Sequence, residues 1–132
     1  MTMDIIEVPV SPGEVLDKIT ILEIKSERMD DAGKLVNVRR ELELLQAAWR
    51  KAVKEDETVR RIHDELKAIN EALWEIEDDI RDKERAREFD QVFIELARSV
   101  YVTNDKRANA KKALNLHLGS EIVEEKSYKD YQ

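Results

Sequence analysis

Cysteine is absent from the 132 residues, so disulfide bonds, thiol nucleophiles and cysteine-ligated metals are excluded. Glycine occurs only three times, which leaves no glycine-rich loop to cradle a phosphate, and no nucleophile-elbow motif occurs either. No apolar run approaches the ~20 residues that a membrane-spanning helix needs, and no signal peptide opens the chain. We therefore expect a cytoplasmic protein without membrane insertion. No catalytic motif is present, which favours a non-enzymatic role but leaves an enzyme possible.

The composition that remains is typical of long helices. Charged residues make up 40% of the chain and hydrophobic residues 42%, with only two prolines. The net charge of −7 repels phosphate backbones, and no basic stripe offsets it, so a nucleic-acid partner is not expected. The length predicts a single domain over residues 1–132.

The first helix is predicted to start at a capping motif, Ser11-Pro12-Gly13-Glu14, and to run to about Met29. Its apolar residues lie on two sides, with Ile21 and Ile24 nearly opposite the main stripe. A helix that is apolar on two sides is buried on both or shows one to a partner. Ile21 and Ile24 are therefore the predicted interface residues.

Two further apolar series with spacings of three and four predict helices 2 and 3. They are Leu35, Val38, Leu42, Leu45 and Trp49, followed by Val59, Ile62, Leu66, Ile69, Leu73, Ile76 and Ile80. Because a short polar link joins them, we expect the two helices to pack as an antiparallel hairpin. The predicted fold is an all-α helical bundle around this long coiled-coil hairpin.

The end of the chain leaves two questions open. Helix 4 is predicted from near Phe89 to Leu118, with Gly119 as its C-terminal cap. The polar segment 103–105 either starts a fresh helix or only interrupts the apolar stripe. Two short β-prone ends, residues 4–10 and 120–128, could pair as a ribbon.

Polar side chains interrupt the apolar pattern of the last two helices. Asn104, Arg107 and Lys111 follow the core positions of helix 4, while Asn70, Glu77 and Arg81 lie on the flank of helix 3. Because an unpaired buried cation costs several kcal/mol, the cations need acidic partners or water. The pattern favours a structural ion-pair network that fixes helix register. The alternative is a pocket joining Glu77, Arg107 and Lys111 that holds a carboxylate or phosphate.

A metal site is not predicted. The acidic run of residues 75–79 has the oxygen ligands that divalent cations prefer, but Arg81, Lys83 and Arg85 follow it closely. His63 and His117 are far apart in sequence and lack metal-ligand spacing. We expect a solvated helix face here, and no cofactor.

Four stretches resemble a bacterial domain family of unknown function. They are SPGEVLDKITILEIK (11–25), LWEIEDDIR (73–81), FIELARSVYVTND (93–105) and EEKSY (124–128). The resemblance covers nearly the whole chain and implies relatives that occur alone or attached to glycosyltransferase-like proteins of surface-polysaccharide assembly. It implies no activity. It marks the polar residues of these motifs as positions of interest without assigning a role to any of them: Glu14, Asp17, Lys18, Glu77, Asp78, Arg81, Arg98, Tyr101, Asn104, Asp105, Lys126 and Tyr128.

Two functions from different classes follow. The first is a non-catalytic protein-interaction or assembly module of a bacterial pathway, with a protein partner or a second copy (a homodimer) bound through Ile21 and Ile24. The second is a helical bundle that binds a small anionic ligand, or acts on it as an enzyme, between helices 3 and 4.

Overall fold

The computed structural model describes residues 4–132, and residues 1–3 lie outside that range. Within it the chain forms four helices, α1 (Pro12–Arg28), α2 (Ala32–Ala52), α3 (Glu57–Ala86) and α4 (Gln91–His117). The all-α fold class is confirmed. No helix among the described residues is both long enough and apolar enough to cross a bilayer.

Each helix starts at a residue whose side chain accepts a backbone N–H of the first turn. At α1 the Ser11 hydroxyl accepts from Glu14 at 3.2 Å, as the capping motif predicts. The other three caps are Asp31, Asp56 and Asp90, with distances of 3.0, 2.8 and 3.0 Å. These bonds satisfy amides that the helices cannot satisfy themselves. The helix boundaries are therefore encoded locally.

The helices pair differently from the expected hairpin. Helix α1 packs against α2, α3 and α4, while α2 and α3 do not lie against each other. The hairpins of the fold are α1–α2 and α3–α4. The reason is that α1 has two apolar faces and lies between the stripes of α2 and α3.

The core lies at one end of the molecule, which we call the base. It combines the first halves of α1 and α3 with the ends of α2 and α4. Its buried members are Leu16, Ile19, Trp49, Val59, Ile62, Leu66, Ala110 and Leu114. At this end His117 Nε2 lies 2.9 Å from Asp56, which joins the end of α4 to the start of α3.

The other end of the α3–α4 hairpin extends past the remaining helices, and we call residues 71–102 the arm. Helix α1 reaches only the start of the arm, where its last residue, Arg28, pairs with Glu75 and lies over the ring of Trp74. At the tip of the arm, Lys83 Nζ bonds Asp90 at 2.9 Å. No residue between 71 and 102 is buried.

The two β-prone ends do not pair, and the expectation of a ribbon is wrong. No strand occurs within residues 4–132, and residues 4–10 are extended and exposed. The tail instead runs back along α4, where Glu124 lies 3.2 Å from Lys111 and the ring of Tyr131 lies 5.1 Å from that of Tyr101. Helix α4 continues unbroken through residues 103–105.

Candidate ligand-binding cleft

A cleft of about 400 Å³ opens where the arm meets the base, between α1, α3 and α4. Its walls combine apolar, amide and charged side chains. They are Ile21, Ile24, Leu73, Trp74, Asn70, Asn104, Glu77, Asp78 and Arg107. The structure thus brings together four of the six predicted ligand-binding residues, and both predicted interface residues lie beside them.

A buried ion pair forms the back of this cleft. Asp17, on α1, is 1% exposed. Its two carboxylate oxygens accept from Arg107 Nε at 2.8 Å and from Arg107 Nη2 at 2.5 Å. This hydrogen bonding raises the pKa of Arg107 above its ordinary value and outweighs the opposing effect of burial. Because Asp17 matches the Arg107 charge, little of that charge is left to attract an anion.

Asn70 extends the network to α3 and faces the cleft. Its Nδ2 donates to Asp17 Oδ1 and to Thr20 Oγ1, each at 2.9 Å. A carboxylate only accepts, so these bonds fix the orientation of the amide. The Asn70 Oδ1 accepts no hydrogen bond within residues 4–132, yet no unbonded side-chain polar atom there is buried. That oxygen is therefore open to the cleft, although Asn70 is only 6% exposed.

The outer wall of the cleft is acidic. Glu77 pairs with Arg81 on the solvent side of α3, and Arg81 itself is not part of the lining. Asp78 has no basic partner in the described part of the chain. Trp74 is held by Arg28, whose guanidinium carbon lies 5.9 Å from the ring centroid. The wall therefore offers an aromatic ring and carboxylates side by side.

Lys111 is not in this cleft, which corrects the predicted Glu77–Arg107–Lys111 pocket. It pairs with Glu14 at 2.8 Å and with Glu124 at 3.2 Å. Burial lowers the Lys111 pKa, but these two carboxylates outweigh it and hold that pKa above its ordinary value. Lys111 follows Arg107 by one helical turn, and at that level its side of α4 faces the start of α1.

The α1 start approaches α4 very closely at this level. The Gly13 N–H donates to Asn115 Oδ1 at 2.7 Å, and Asn115 is 2% exposed. A Cβ on Gly13 would lie 2.5 Å from the Lys111 carbonyl oxygen. Glycine is thus required here by the backbone contact. This polar contact anchors α1 in the base.

The predicted interface residues prove to be internal or half-buried. Ile24 is 1% exposed, so it cannot belong to a surface that a partner covers. Ile21 is half-buried on the cleft wall. The second apolar side of α1 is used within the chain, against α3 and α4, which corrects the idea of a spare face.

Residue patterns alone did not find the centre of the network. Asp17 was marked only through the family resemblance, and Thr20 and Asn115 were not marked at all. A usable signal exists, because a helix that is buried on two sides also buries polar residues between those sides. Within the described residues, no group of three or more His, Asp or Glu side chains is placed to hold a metal ion.

Comparison with known proteins gives one match. No curated protein matches the chain, and no solved structure does. A family model described as a family of unknown function, DUF6165, matches residues 6–131. The match spans nearly all of the sequence, including the four stretches quoted above, and the chain belongs to this family.

Proposed function

We propose that the chain is a non-catalytic protein-interaction module and that the arm is its docking surface. The observation that carries the proposal is the lack of any buried residue between 71 and 102. This stretch nevertheless bears many large apolar side chains. They are Leu73, Trp74, Ile76, Ile80, Phe89, Val92, Phe93, Ile94, Leu96, Val100 and Tyr101.

A two-helix hairpin cannot cover these side chains by itself. Each helix covers one side of the other, and the remaining apolar surface stays in water unless further helices pack against it. Phe89, Val92 and Ile94 are 54%, 49% and 47% exposed at the tip. Covering apolar surface contributes roughly 25 cal/mol per Å², so a partner over the arm gains a substantial driving force.

The partner that the charges favour is a second copy of the chain. The whole chain carries −7, which opposes self-association, but residues 80–100 are balanced. This stretch has five acids and five bases. The acids are Asp82, Glu84, Glu88, Asp90 and Glu95, and the bases are Arg81, Lys83, Arg85, Arg87 and Arg98. Residues 71–79 add five acids and no base, so it is the outer parts of two arms, residues 80–100, that can meet without net repulsion and complete a four-helix arrangement.

Sedimentation velocity on matched glutamate variants tests this role. Val92 and Val36 are both exposed valines on helices, at 49% and 66%, but only Val92 lies on the arm. We expect the wild type to sediment as a dimer at micromolar concentration, Val92→Glu as a monomer, and Val36→Glu as the wild type. Circular dichroism should show both variants to be folded.

Two outcomes separate the versions of the proposal. The wild type could stay monomeric at 100 µM and bind a purified protein that Val92→Glu does not bind. The partner of the arm is then a different protein rather than a second copy. If Val92→Glu and Val36→Glu behave alike in both assays, the arm is not a docking surface and the proposal fails.

The setting that we propose comes from the family resemblance alone. We propose that the module works in bacteria that assemble surface polysaccharides. Deletion of the gene should then change the amount or chain length of the surface polysaccharide, measured by gel electrophoresis of cell-envelope extracts. An unchanged polysaccharide would remove this setting and leave the interaction role standing.

A further inference from the structure

We propose that the cleft binds an organic cation, an ammonium or guanidinium group on a short apolar chain. This site lies at the junction of the arm with α1 and shares Leu73 and Trp74 with the arm, whereas Val92 at the tip is not among its lining residues. At about 400 Å³ it has the size of a small-molecule site, which typically spans ~300–1,000 Å³.

The charges of the lining favour a cation. Arg107 is the sole basic residue among the lining residues, and Asp17 holds it from behind in a bidentate pair. Of the two lining acids, Glu77 shares its charge with Arg81, whereas Asp78 forms no salt bridge within the described residues and interacts with Arg28 only at longer range. An anion entering the cleft would meet Asp78 and the buried Asp17 with no free positive charge to offset them.

Two acceptors of the lining remain free beside the unbonded N–H groups of Trp74 and Asn104. The first is Asn70 Oδ1, which has no donor within residues 4–132 although the amide nitrogen of the same side chain donates twice. The Asp78 carboxylate can also only accept. An ammonium or guanidinium group carries donors without acceptors, so it satisfies both. Asn70 is more than nine-tenths buried, and leaving such an oxygen unbonded is costly once a ligand excludes water.

The apolar part of the lining fits the chain that carries the cation. Ile21, Ile24 and Leu73 provide aliphatic surface, and Trp74 adds an aromatic ring next to the acids. A cation within about 6 Å of an indole ring is attracted by its quadrupole. Arg28 already shows this preference at Trp74. A short alkyl chain can therefore lie on the floor while its charged end reaches the acidic wall.

The two tryptophans provide an internal control for a binding test. Trp74 lines the cleft, whereas Trp49 is buried in the base and its indole N–H donates to Glu55 at 3.3 Å. We would titrate ¹⁵N-labelled protein with butylguanidinium, butylammonium and pentanoate and follow both indole N–H resonances. The expected result is a saturable shift of Trp74 with the two cations only, while Trp49 stays in place.

Matched charge variants show whether the effect belongs to the cleft. Asp78→Asn removes the unpaired acid of the lining, and Asp79→Asn removes the next acid along α3, which does not line it. We expect the dissociation constant for butylguanidinium to rise about fivefold in Asp78→Asn and to stay unchanged in Asp79→Asn. The Trp49 resonance reports that each variant is folded.

Three outcomes would overturn the proposal. They are a Trp74 shift with pentanoate but with neither cation, no shift with any probe at 50 mM, and equal weakening by the two variants. The first would restore the anionic ligand expected from the sequence. Arginine blocked by acetylation and amidation distinguishes two sources of the cation. Binding as tight as that of butylguanidinium indicates a protein side chain, and lost binding indicates a small free cation. Val92→Glu should leave cation binding intact, so this test does not depend on the docking surface.

Discussion

The base and the arm of this molecule share helices α3 and α4 but are stabilised differently. In the base, α3 and α4 pack against α1, and Leu66 and Leu114 are 0% exposed. In the arm, α3 and α4 pack mainly on each other, with further contacts only from the end of α1 at Arg28 and from the tail at Tyr131 among those described above. The difference comes from length, because α1 has 17 residues whereas α3 has 30 and α4 has 27. Where the α3–α4 hairpin extends beyond α1, both segments remain helical but no side chain is fully buried.

The polar network lies at the boundary between the two regions. Asp17, Asn70 and Arg107 join α1, α3 and α4 just before the arm begins. Polar groups buried this way contribute little net stability, but they penalise any other helix register. The boundary is also where a cleft forms, since the packing of α1 against the hairpin ends there.

The largest expected effect breaks the boundary network. Arg107→Ala leaves the Asp17 carboxylate, 1% exposed, without its partner, which should cost about 3–5 kcal/mol of unfolding free energy. In the arm, Arg81 also pairs with a carboxylate, Glu77, but both side chains are well exposed. Arg81→Ala should therefore cost less than about 1 kcal/mol. Urea denaturation of both variants measures the difference.

The reverse deletion refines this result. Asp17→Ala leaves Arg107, whose side chain is 30% exposed and can reach water, so it should cost less than Arg107→Ala. Similar losses for Arg107→Ala and Arg81→Ala would mean that the boundary network is no more important than a surface ion pair.

The second expected effect compares one substitution at two places on α4. Leu114 is fully buried in the base, and Leu96 is half-buried in the arm. Leu114→Ala should cost about 2–5 kcal/mol by loss of contacts and creation of a cavity, and Leu96→Ala about 1 kcal/mol. The measurement is made on dilute, monomeric protein. If Leu96→Ala costs as much as Leu114→Ala there, the arm has a core of its own.

Sequence predicted the helices well because their signals are local. Ser11 marks a start and Gly119 an end, and both act as expected, the glycine with a φ of +67°. The pairing was harder to predict, since the stripes of α2 and α3 fit each other and fit α1 equally well. Only the second apolar side of α1, at Ile24, indicates that this helix lies between them.

The site was predicted in part for a related reason. Asn104 and Arg107 interrupt the apolar stripe of helix 4, and Asn70 and Glu77 flank that of helix 3. Both signals can be read from one helix at a time. Lys111 breaks the same stripe but faces a different neighbour. Asp17 gives no such signal, because the tertiary packing of α1 rather than its own pattern buries it.

The third expected effect is a pH dependence that belongs to the base. His63 lies 2.7 Å from Glu23 of α1 and 3.0 Å from Asp64. The bond to Glu23 raises the His63 pKa to about 9, against the opposing effect of burial and with a smaller contribution from Asp64. The protonated form is therefore favoured by folding.

The sign follows from that shift. An unfolded histidine titrates near ~6.5, so the stabilisation is complete below that pH and is lost as the pH rises to about 9. Between pH 6 and pH 10, the unfolding free energy of the wild type should fall by about 2 kcal/mol more than that of Glu23→Gln, after allowance for partial exposure. Denaturation of both proteins at the two pH values measures this difference. If the unfolding free energies of the two proteins change with pH in parallel, the bond between His63 and Glu23 is not the cause of the pH dependence.

The smallest expected effect lies at the tip of the arm. Arg87 ends α3 in the left-handed conformation, with φ of 59°, which costs a residue with a Cβ about 1 kcal/mol. Arg87→Gly removes that strain, but glycine also increases the conformational entropy of the unfolded chain, which offsets part of the gain. The net effect should be a stabilisation of the turn by about 0.5 kcal/mol. Ala86→Gly, one residue earlier and helical, should destabilise the turn by a similar amount.

Hydrogen exchange of the Glu88 amide, bonded to the Lys83 carbonyl at 3.0 Å, measures the opening of the turn. Because the arm lacks a shared core, we expect the exchange rate to change about twofold while the urea midpoint of the base hardly moves. Equal changes in both would show that arm and base unfold as one unit.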